Sequence, residues 1–227
     1  MVKTLFEDAR PSSLEHVVGQ RRAVECLSRI IERRSLAGRA YWIAGPSGVG
    51  KTTLAKIIAR YVAGDDLFVN EYDASMLTPL TIQNIESDLW TRGWAGGGKA
   101  VIINEAHGLR RDTVRQLLVT LERLPKHAVV VFTTTADGQG KMLESCDDAA
   151  PLISRCLPVP MDPYPLDSFA DHVMSVAEQN GLSAAPRAAF IDLAMECACN
   201  MRAMFQVVEA GGMLNPEVTD DGKYHFR

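Results

Sequence analysis

Apolar residues are spaced in two different ways along the first 135 residues: in continuous runs, and at every third or fourth position. Continuous apolar runs at residues 40–44, 100–103 and 127–134 are typical of parallel strands buried on both faces, and residues 66–72 predict a further strand. Between these runs, apolar residues recur every three or four positions and predict helices over residues 14–34, 53–63, 82–90 and 112–124, the last with Asp112 as N-cap. This alternation predicts an α/β domain whose parallel sheet is flanked by helices.

The pattern changes after residue 150. Five prolines fall between residues 151 and 165, and no strand pattern of comparable strength follows them. Helical spacing resumes over residues 166–180, 185–197 and 201–211. We therefore expect an N-terminal domain over residues 1–160, a linker near residues 158–165, a small helical domain over residues 161–215, and a polar, disordered tail over residues 216–227.

Composition narrows the class of protein. With 227 residues, 47% of them hydrophobic, the chain can bury one good core and a small second one. A net charge of −4 argues against nucleic-acid affinity over the whole surface but not against a local basic patch. Five scattered cysteines with no C-x-x-C pair favour reduced thiols over disulfides or zinc. No apolar run reaches membrane-spanning length, so we expect a soluble cytoplasmic, nucleoid or nuclear protein without a membrane partner.

The segment after the first predicted strand carries the clearest chemical signal. Residues 45–52 match the P-loop pattern G-x-x-x-x-G-K-[ST] without a gap. Its glycines let successive backbone N–H groups point at one anion, and the N-terminus of the next helix adds its positive end. Lysine in this pattern reaches the β/γ-phosphates, and the following hydroxyl ligates Mg²⁺. The predicted nucleotide-phosphate site comprises Gly45, Pro46, Ser47, Gly48, Val49, Gly50, Lys51, Thr52 and Thr53.

A second candidate site follows the strand predicted over residues 100–103. A P-loop ATPase needs an acid at the end of a neighbouring strand to hold the magnesium shell, and often a second acid to orient water. Glu105 stands where the water-polarising base is expected, but Asn104 stands where an aspartate is usual. Asparagine can accept a hydrogen bond from a magnesium-bound water without adding charge, so we expect weaker metal affinity and slow hydrolysis. The alternative is that Asn104 and Glu105 only cap the next helix.

At this point the chain resembles an AAA+ ATPase, and within that class a clamp-loader ATPase subunit such as the replication factor C small subunits and the bacterial DNA polymerase III gamma and delta-prime subunits. Five further segments carry the resemblance: Arg10–Gln20 to "RPxxLxxVVGQ", Glu71–Ser75 to "ELNAS", Asn104–Leu109 to "DEAHxL", Ser154–Cys156 to "SRC", and Asn200–Arg202 to "GDMR". The resemblance implies a P-loop AAA+ domain followed by a small helical lid, with ATP and Mg²⁺ as cofactors.

The resemblance also implies roles for individual residues. Arg155 would be the arginine finger that acts in trans on the γ-phosphate of a neighbouring subunit, and Arg202 the sensor-2 arginine that reaches the nucleotide in cis. Thr134 or Thr135, within a run of three threonines, would be the sensor-1 residue near the γ-phosphate. The alternatives are surface arginines and ordinary strand threonines.

Two more groups take their roles from the family. The lead-in that packs on the adenine would include Arg10, Pro11 and Val18. A helix that faces DNA inside clamp-loader rings would begin with Arg110, Arg111 and Arg115, which could hold DNA phosphates or simply form a solvated face.

The chain departs from this family in three respects. The segment over residues 135–154 is longer than usual, and we expect an added loop there. The zinc-binding insertion of the bacterial subunits is absent, and the chain ends soon after the lid, where clamp loaders carry a helical collar domain.

Three functions stay open on the sequence. The first is an ATP-driven clamp-loader-like subunit whose partners are other homo- or hetero-oligomeric AAA+ ring subunits, a sliding clamp and primed DNA. The second is a nucleotide-sensing structural subunit with little hydrolysis, which Asn104 favours. The third is a branch-migration-type DNA motor. Asn104→Asp should raise ATP turnover sharply only if hydrolysis is limited by the absence of a carboxylate at position 104.

Overall fold

The computed structural model describes residues 4–33, 35–93, 97–214, 217–218 and 224–225. The chain divides into two compact units. The sheet unit comprises residues 22–45 and 51–161, and the helical unit comprises the residues up to 21, residues 46–50, and the residues from 162 onward.

The sheet unit is built on five parallel strands in the order β2-β3-β4-β1-β5. Its strands are β1 Arg39–Ala44, β2 Val69–Asp73, β3 Lys99–Asn104, β4 Ala128–Thr134 and β5 Cys156–Pro160. All seven residues of the central β4 are buried, as expected for a strand covered on both faces. The predicted parallel sheet flanked by helices is confirmed.

One strand of this sheet, β5, was not predicted, and it overlaps the linker that was expected near residues 158–165. Pro158 and Pro160 stand opposite Trp42 and Ala44 of β1. Proline is tolerated here because β5 is an edge strand and needs ladder hydrogen bonds on one side only.

Helices cover this sheet, and two of them replace an expected loop. The helices are α2 Arg21–Arg33, α3 Lys51–Ala63, α4 Pro79–Leu89, α5 Arg111–Glu122, α6 Ala136–Ser145 and α7 Ala149–Ser154. The last two occupy the segment predicted as an added loop. Thr135 starts α6, because its hydroxyl accepts the Gly138 N–H at 3.0 Å. The N-cap of α5 is Arg110 rather than Asp112, which lies in the first turn.

The helical unit has its own core, formed by α1 Leu5–Asp8, α8 Leu166–Gln179, α9 Arg187–Glu196 and α10 Met201–Glu209. Leu5 is buried in that core and Val18 packs against it, so the lead-in belongs with the C-terminal helices rather than with the expected 1–160 domain. In the tail expected to be disordered, β6 Glu217–Val218 pairs antiparallel with β7 Tyr224–His225. Nowhere in the described ranges is a helix long and apolar enough to cross a membrane.

Candidate nucleotide site

The P-loop connects β1 to α3. Its first residue, Gly45, and its Lys51 belong to the sheet unit, whereas residues 46–50 belong to the helical unit. Lys51 opens α3 and is buried, with 8% of its surface exposed. Its Nζ donates a hydrogen bond to the Gly45 carbonyl at 3.0 Å, which ties the last turn of the loop to its first residue. Thr52 is half-buried and Thr53 is buried in the same helical turn. The lysine and hydroxyl predicted for phosphate and metal therefore stand at a helix N-terminus.

Residues 46–50 pack within the helical unit. The Gly48 carbonyl accepts the Met201 N–H at 3.2 Å, at the start of α10. Gly48 has φ +76°, and a Cβ there would overlap Asn200 Oδ1, so both conformation and space require glycine. Pro46 and Ser47 precede this contact, and Gly50, at φ +102°, has no atom within 4 Å of an added Cβ.

Gln20, which the sequence analysis quoted in the lead-in motif without giving it a role, is hydrogen-bonded to this loop. Its Nε2 donates to the Val49 carbonyl at 3.1 Å and to the Asp162 carbonyl at 3.0 Å, and its Oε1 accepts the Asp162 N–H at 2.7 Å. Gln20 is buried, so these bonds satisfy a side-chain amide that would otherwise be costly.

At the end of β3, the side-chain amide of Asn104 forms hydrogen bonds through both its oxygen and its nitrogen. The Thr133 hydroxyl donates to Asn104 Oδ1 at 2.8 Å, and Asn104 Nδ2 donates to Glu71 Oε1 at 2.7 Å. Glu71 Oε2 forms an ion pair with Lys56 Nζ at 2.9 Å. Thr133 and Glu71 were missed from sequence because their contact with Asn104 depends on which strands are neighbours.

Glu105 follows Asn104 in a left-handed conformation with φ +52°, and its carboxylate is about half exposed. It precedes a short 3₁₀ helix, but its side chain makes no capping bond there. Glu105 Oε2 lies 3.5 Å from His107 Nδ1, which also lies 3.0 Å from the Thr134 hydroxyl. Of the two predicted sensor-1 residues, Thr134 therefore faces His107, while Thr135 is the cap of α6.

Arg155 lies at the C-terminal end of α7 and is held within its own chain. Its guanidinium forms an ion pair with Glu122 at 2.8 Å and donates to the Pro151 carbonyl at 3.0 Å. Both side chains of the ion pair are more than a third exposed, so the pair is worth at most about 1 kcal/mol. Arg155 can therefore exchange this partner for another anion at small cost.

Arg202 and Arg10 converge on one aromatic ring in the helical unit. The guanidinium carbons lie 5.4 Å and 5.2 Å from the centre of the Phe6 ring, which is within the range of cation–π attraction. Arg10 Nε is buried and has no hydrogen-bond partner in the described structure. The rest of the predicted adenine lead-in, Pro11 and Val18, is half-buried nearby in the chain.

A second aromatic contact extends this cluster. Phe6 stacks at a tilt on Phe205, with ring centres 6.2 Å apart, and His172 meets Phe205 edge-on at 6.1 Å. Burial lowers the pKa of His172, so its ring adds no positive charge beside the two arginines at neutral pH.

The three arginines predicted to contact DNA are all exposed on or beside the first turns of α5, but two have partners. Arg111 donates to the Ser145 carbonyl, and Arg115 forms an ion pair with Asp148 at 2.8 Å. That carboxylate also raises the pKa of Arg115 above its usual value. Among the described contacts, Arg110 has no side-chain partner.

The two residues predicted to hold Mg²⁺ each offer an uncharged oxygen. They are the Thr52 hydroxyl at the start of α3 and the Asn104 amide oxygen at the end of β3. Protein-bound Mg²⁺ usually keeps several waters and takes one or two protein oxygens together with nucleotide phosphates. This sparse donor set fits a metal that arrives with its nucleotide.

Comparisons with known proteins agree with this geometry. The profile of the "ATPase family associated with various cellular activities (AAA)" matches residues 41–157. The chain is similar to the replication factor C small subunit of Natronomonas pharaonis, at 26% identity over 181 residues, covering 78% of this chain and 53% of that protein. It is also similar to the DNA polymerase III subunit gamma/tau of Mycoplasma pneumoniae, at 28% identity over 60% of this chain and 23% of that protein.

Among solved structures, the Thermotoga maritima RuvB Holliday junction branch migration motor superposes with a TM-score of 0.68 at 23% identity, covering 88% of this chain and 64% of that one. At this identity the likeness concerns the fold alone. The chain spans about half the length of the first relative named above. The resemblance to replication factor C small subunits and to the DNA polymerase III gamma subunit inferred from the sequence is confirmed by relatives that carry those names.

Proposed function

Because this chain belongs to the AAA family of ATPases, we propose that it is an ATP-hydrolysing subunit of a clamp-loader-like assembly that acts in DNA replication or repair. The observation that carries this proposal is that one sheet unit holds both the buried Lys51 at the start of α3 and Asn104 and Glu105 at or just after the end of β3. The names of the relatives support the replication role.

The P-loop residues would hold the phosphates through their backbone N–H groups, and Lys51 would contact the β/γ-phosphates. Thr52 would ligate Mg²⁺ directly and Asn104 through a water. When bound, the metal neutralises charge on the phosphate oxygens. Glu105, exposed and free of any capping bond, would accept a proton from the attacking water and orient it.

Two arginines would make the site sensitive to the γ-phosphate. Arg202 would contact the nucleotide of its own subunit, and Arg155 would leave Glu122 to contact the nucleotide of a neighbour. These contacts exist with ATP and are lost with ADP, so ATP would favour the assembled ring. The partners would be other AAA+ subunits, of the same or another chain, together with a sliding clamp and primed DNA, in the cytoplasm or nucleoid.

The test is ATPase turnover across a wide range of protein concentration, with and without primed DNA. Turnover should rise more than linearly with protein, and Arg155→Ala should abolish the rise while ATP still binds. Arg123→Ala removes an exposed arginine at the end of α5 and is the matched control. Linear turnover that Arg155→Ala leaves unchanged would exclude active sites shared between subunits.

A second candidate function is a nucleotide-sensing subunit with little or no hydrolysis, and the neutral Asn104 favours it. In that case the chain binds ATP tightly but shows no turnover at any concentration. A branch-migration motor is the third, favoured by the fold shared with RuvB. A strand-separation assay on branched DNA distinguishes it from a clamp loader.

A further inference from the structure

The imidazole of His107 lies between two groups that the proposed function uses. Its Nδ1 is 3.0 Å from the Thr134 hydroxyl at the end of β4 and 3.5 Å from Glu105 Oε2, just after β3. Thr134 is fully buried, whereas about a third of the His107 side chain and half of the Glu105 side chain are exposed. A single ring atom therefore links a buried hydroxyl to an exposed carboxylate.

These neighbours decide which ring nitrogen of His107 carries the proton. A carboxylate oxygen only accepts hydrogen bonds, so an unprotonated Nδ1 would turn its lone pair toward Glu105 Oε2, and the two would repel each other. A protonated Nδ1 donates to the Thr134 hydroxyl oxygen and attracts the carboxylate through the same N–H. The neutral ring is therefore expected to hold its proton on Nδ1.

Donation by His107 fixes the direction of the Thr134 hydroxyl. Because the hydroxyl oxygen accepts the Nδ1–H, its own proton points elsewhere, and in the structure it reaches the Thr135 carbonyl at 3.3 Å. That bond is long for a hydroxyl donor, so a closer acceptor can replace it at small cost. A γ-phosphate oxygen would be such an acceptor, and Thr134 would meet it as a donor.

Glu105 is restrained by the same ring but is not immobilised. A separation of 3.5 Å is too long for a strong hydrogen bond, so the N–H dipole holds the carboxylate nearby by electrostatic attraction alone. The carboxylate keeps its lone pairs for an attacking water. A proton acceptor needs this combination of a fixed direction and a free oxygen.

Gly138 of α6 leaves the space in which the ring stands. An added Cβ at this residue would overlap His107 Nδ1 and would lie 2.6 Å from its Cγ. Gly140 lies in the same helix, but no atom lies within 4 Å of a Cβ added there. The restriction therefore belongs to position 138 and to the ring, and not to the helix as a whole.

We propose that His107 is a positioning residue for ATP hydrolysis: its Nδ1–H orients the Thr134 hydroxyl as a donor to the γ-phosphate and holds the Glu105 carboxylate beside it, and Gly138 makes room for the ring. The roles of Thr134 and Glu105 in this inference rest on the proposed function. The tautomer of His107 and its contact with Gly138 do not.

The first test is the tautomer, measured by NMR without nucleotide on the full chain carrying isotopically labelled histidine. The spectra are recorded at about pH 8.5, well above the ordinary pKa of histidine. The signals that vanish in His107→Asn are those of His107, and they should show the proton on Nδ1. Gly138→Ala should shift them and Gly140→Ala should not. A proton on Nε2, or equal shifts in the two glycine variants, would overturn the proposal.

The second test separates the position of the donor from the size of the side chain. An asparagine amide can place its nitrogen where Nδ1 lies, whereas the longer glutamine amide reaches toward the place of Nε2. His107→Asn should retain most of kcat for ATP, whereas His107→Gln should lower kcat about tenfold and change KM by less than about twofold. Equal losses of kcat in the two variants, or a change in KM alone, would refute the positioning role.

The third test displaces the ring without changing it. Gly138→Ala should lower kcat about tenfold, and Gly140→Ala is the matched control that should leave kcat within about twofold. The new Cβ at position 138 would also lie 2.7 Å from the Thr135 hydroxyl oxygen, so Gly138→Ala is repeated in the His107→Ala background, where a loss through the ring cannot occur again. Equal losses in both backgrounds would assign the effect to Thr135 and overturn the proposal. If the unaltered chain hydrolyses no ATP, the proposed function fails, while the tautomer of His107 still decides its contact with Thr134.

Discussion

Replacing Gly48 by alanine tests whether the P-loop is docked on the start of α10 as the structure shows. Gly48 has φ +76°, so any Cβ there costs about 1 kcal/mol of backbone strain. The new Cβ would also overlap Asn200 Oδ1 and lie 2.9 Å from Asn200 Cα. The side chain must swing away and the start of the helix must shift.

The magnitude follows from the bonds that this shift breaks. Asn200 would lose its capping bond with the Ala203 N–H, worth about 1 kcal/mol. The bond from the Met201 N–H to the Gly48 carbonyl is worth about another 1 kcal/mol. Together with the strain, Gly48→Ala should destabilise the 227-residue chain by about 3 kcal/mol, which lowers its melting temperature by roughly 9 °C.

The control is Gly181→Ala in the same unit. Gly181 has φ +67° and no atom within 4 Å of an added Cβ, so its alanine variant carries the strain alone and should lose roughly 3 °C. Both variants and Gly48→Ala/Asn200→Ala are compared by thermal unfolding without nucleotide. In the Asn200→Ala background, where the capping bond is already absent, Gly48→Ala should cost about 1 kcal/mol less than in the unaltered chain. Equal losses for the two single glycine variants would refute the docking of the P-loop on α10.

Three further predictions address other features. Phe6→Leu keeps an apolar side chain but removes the π face under Arg202, so it should reduce the preference for ATP over ADP in equilibrium binding severalfold, whereas Phe6→Trp should preserve that preference; an unchanged preference in Phe6→Leu would refute the cation–π contribution. Ala198 is exposed and has φ +48°, so Ala198→Gly should raise the melting temperature by roughly 3 °C, and a lower one would contradict the strain. Burial raises the pKa of the Cys156 thiol from 9.0 to about 12, so unfolding releases a proton between those pH values and stability falls as pH rises through that window; Cys156→Ala should show a shallower fall in urea denaturation at pH 8–10.5, and identical slopes would contradict this cause.

Much of the sheet unit was predictable because local pattern and tertiary burial agree. The runs that became β1, β3 and β4 are apolar on both faces, and the P-loop pattern places Lys51 at a helix start whatever surrounds it. The edge strand β5 was hidden by prolines that only an edge position tolerates. Prediction of β5 failed because its position at the edge of the sheet, rather than its local sequence, decides that a strand can contain these prolines.

The contacts of Gly138, Thr133 and Glu71 could not be predicted from sequence for a related reason. Gly138 was taken as part of a loop, yet it lies inside α6, where an added Cβ would overlap the His107 ring. The glycine is explained by a histidine far earlier in the chain, which no local pattern reveals. Thr133 and Glu71 likewise reach Asn104 only because β4 and β2 flank β3. Pairings of this kind require the strand order.

The strand order also has a consequence for how the protein folds during synthesis. β1 precedes the other four strands of its sheet along the chain, but its neighbours are β4 and β5, which begin at residues 128 and 156. Until β4 has left the ribosome, β1 has no sheet partner and its apolar residues have no sheet to join. Contacts of such long sequence separation make folding slow and leave the nascent chain open to aggregation. The arrival of β4, which pairs with β1 on one side and β3 on the other, should be the step at which the sheet forms.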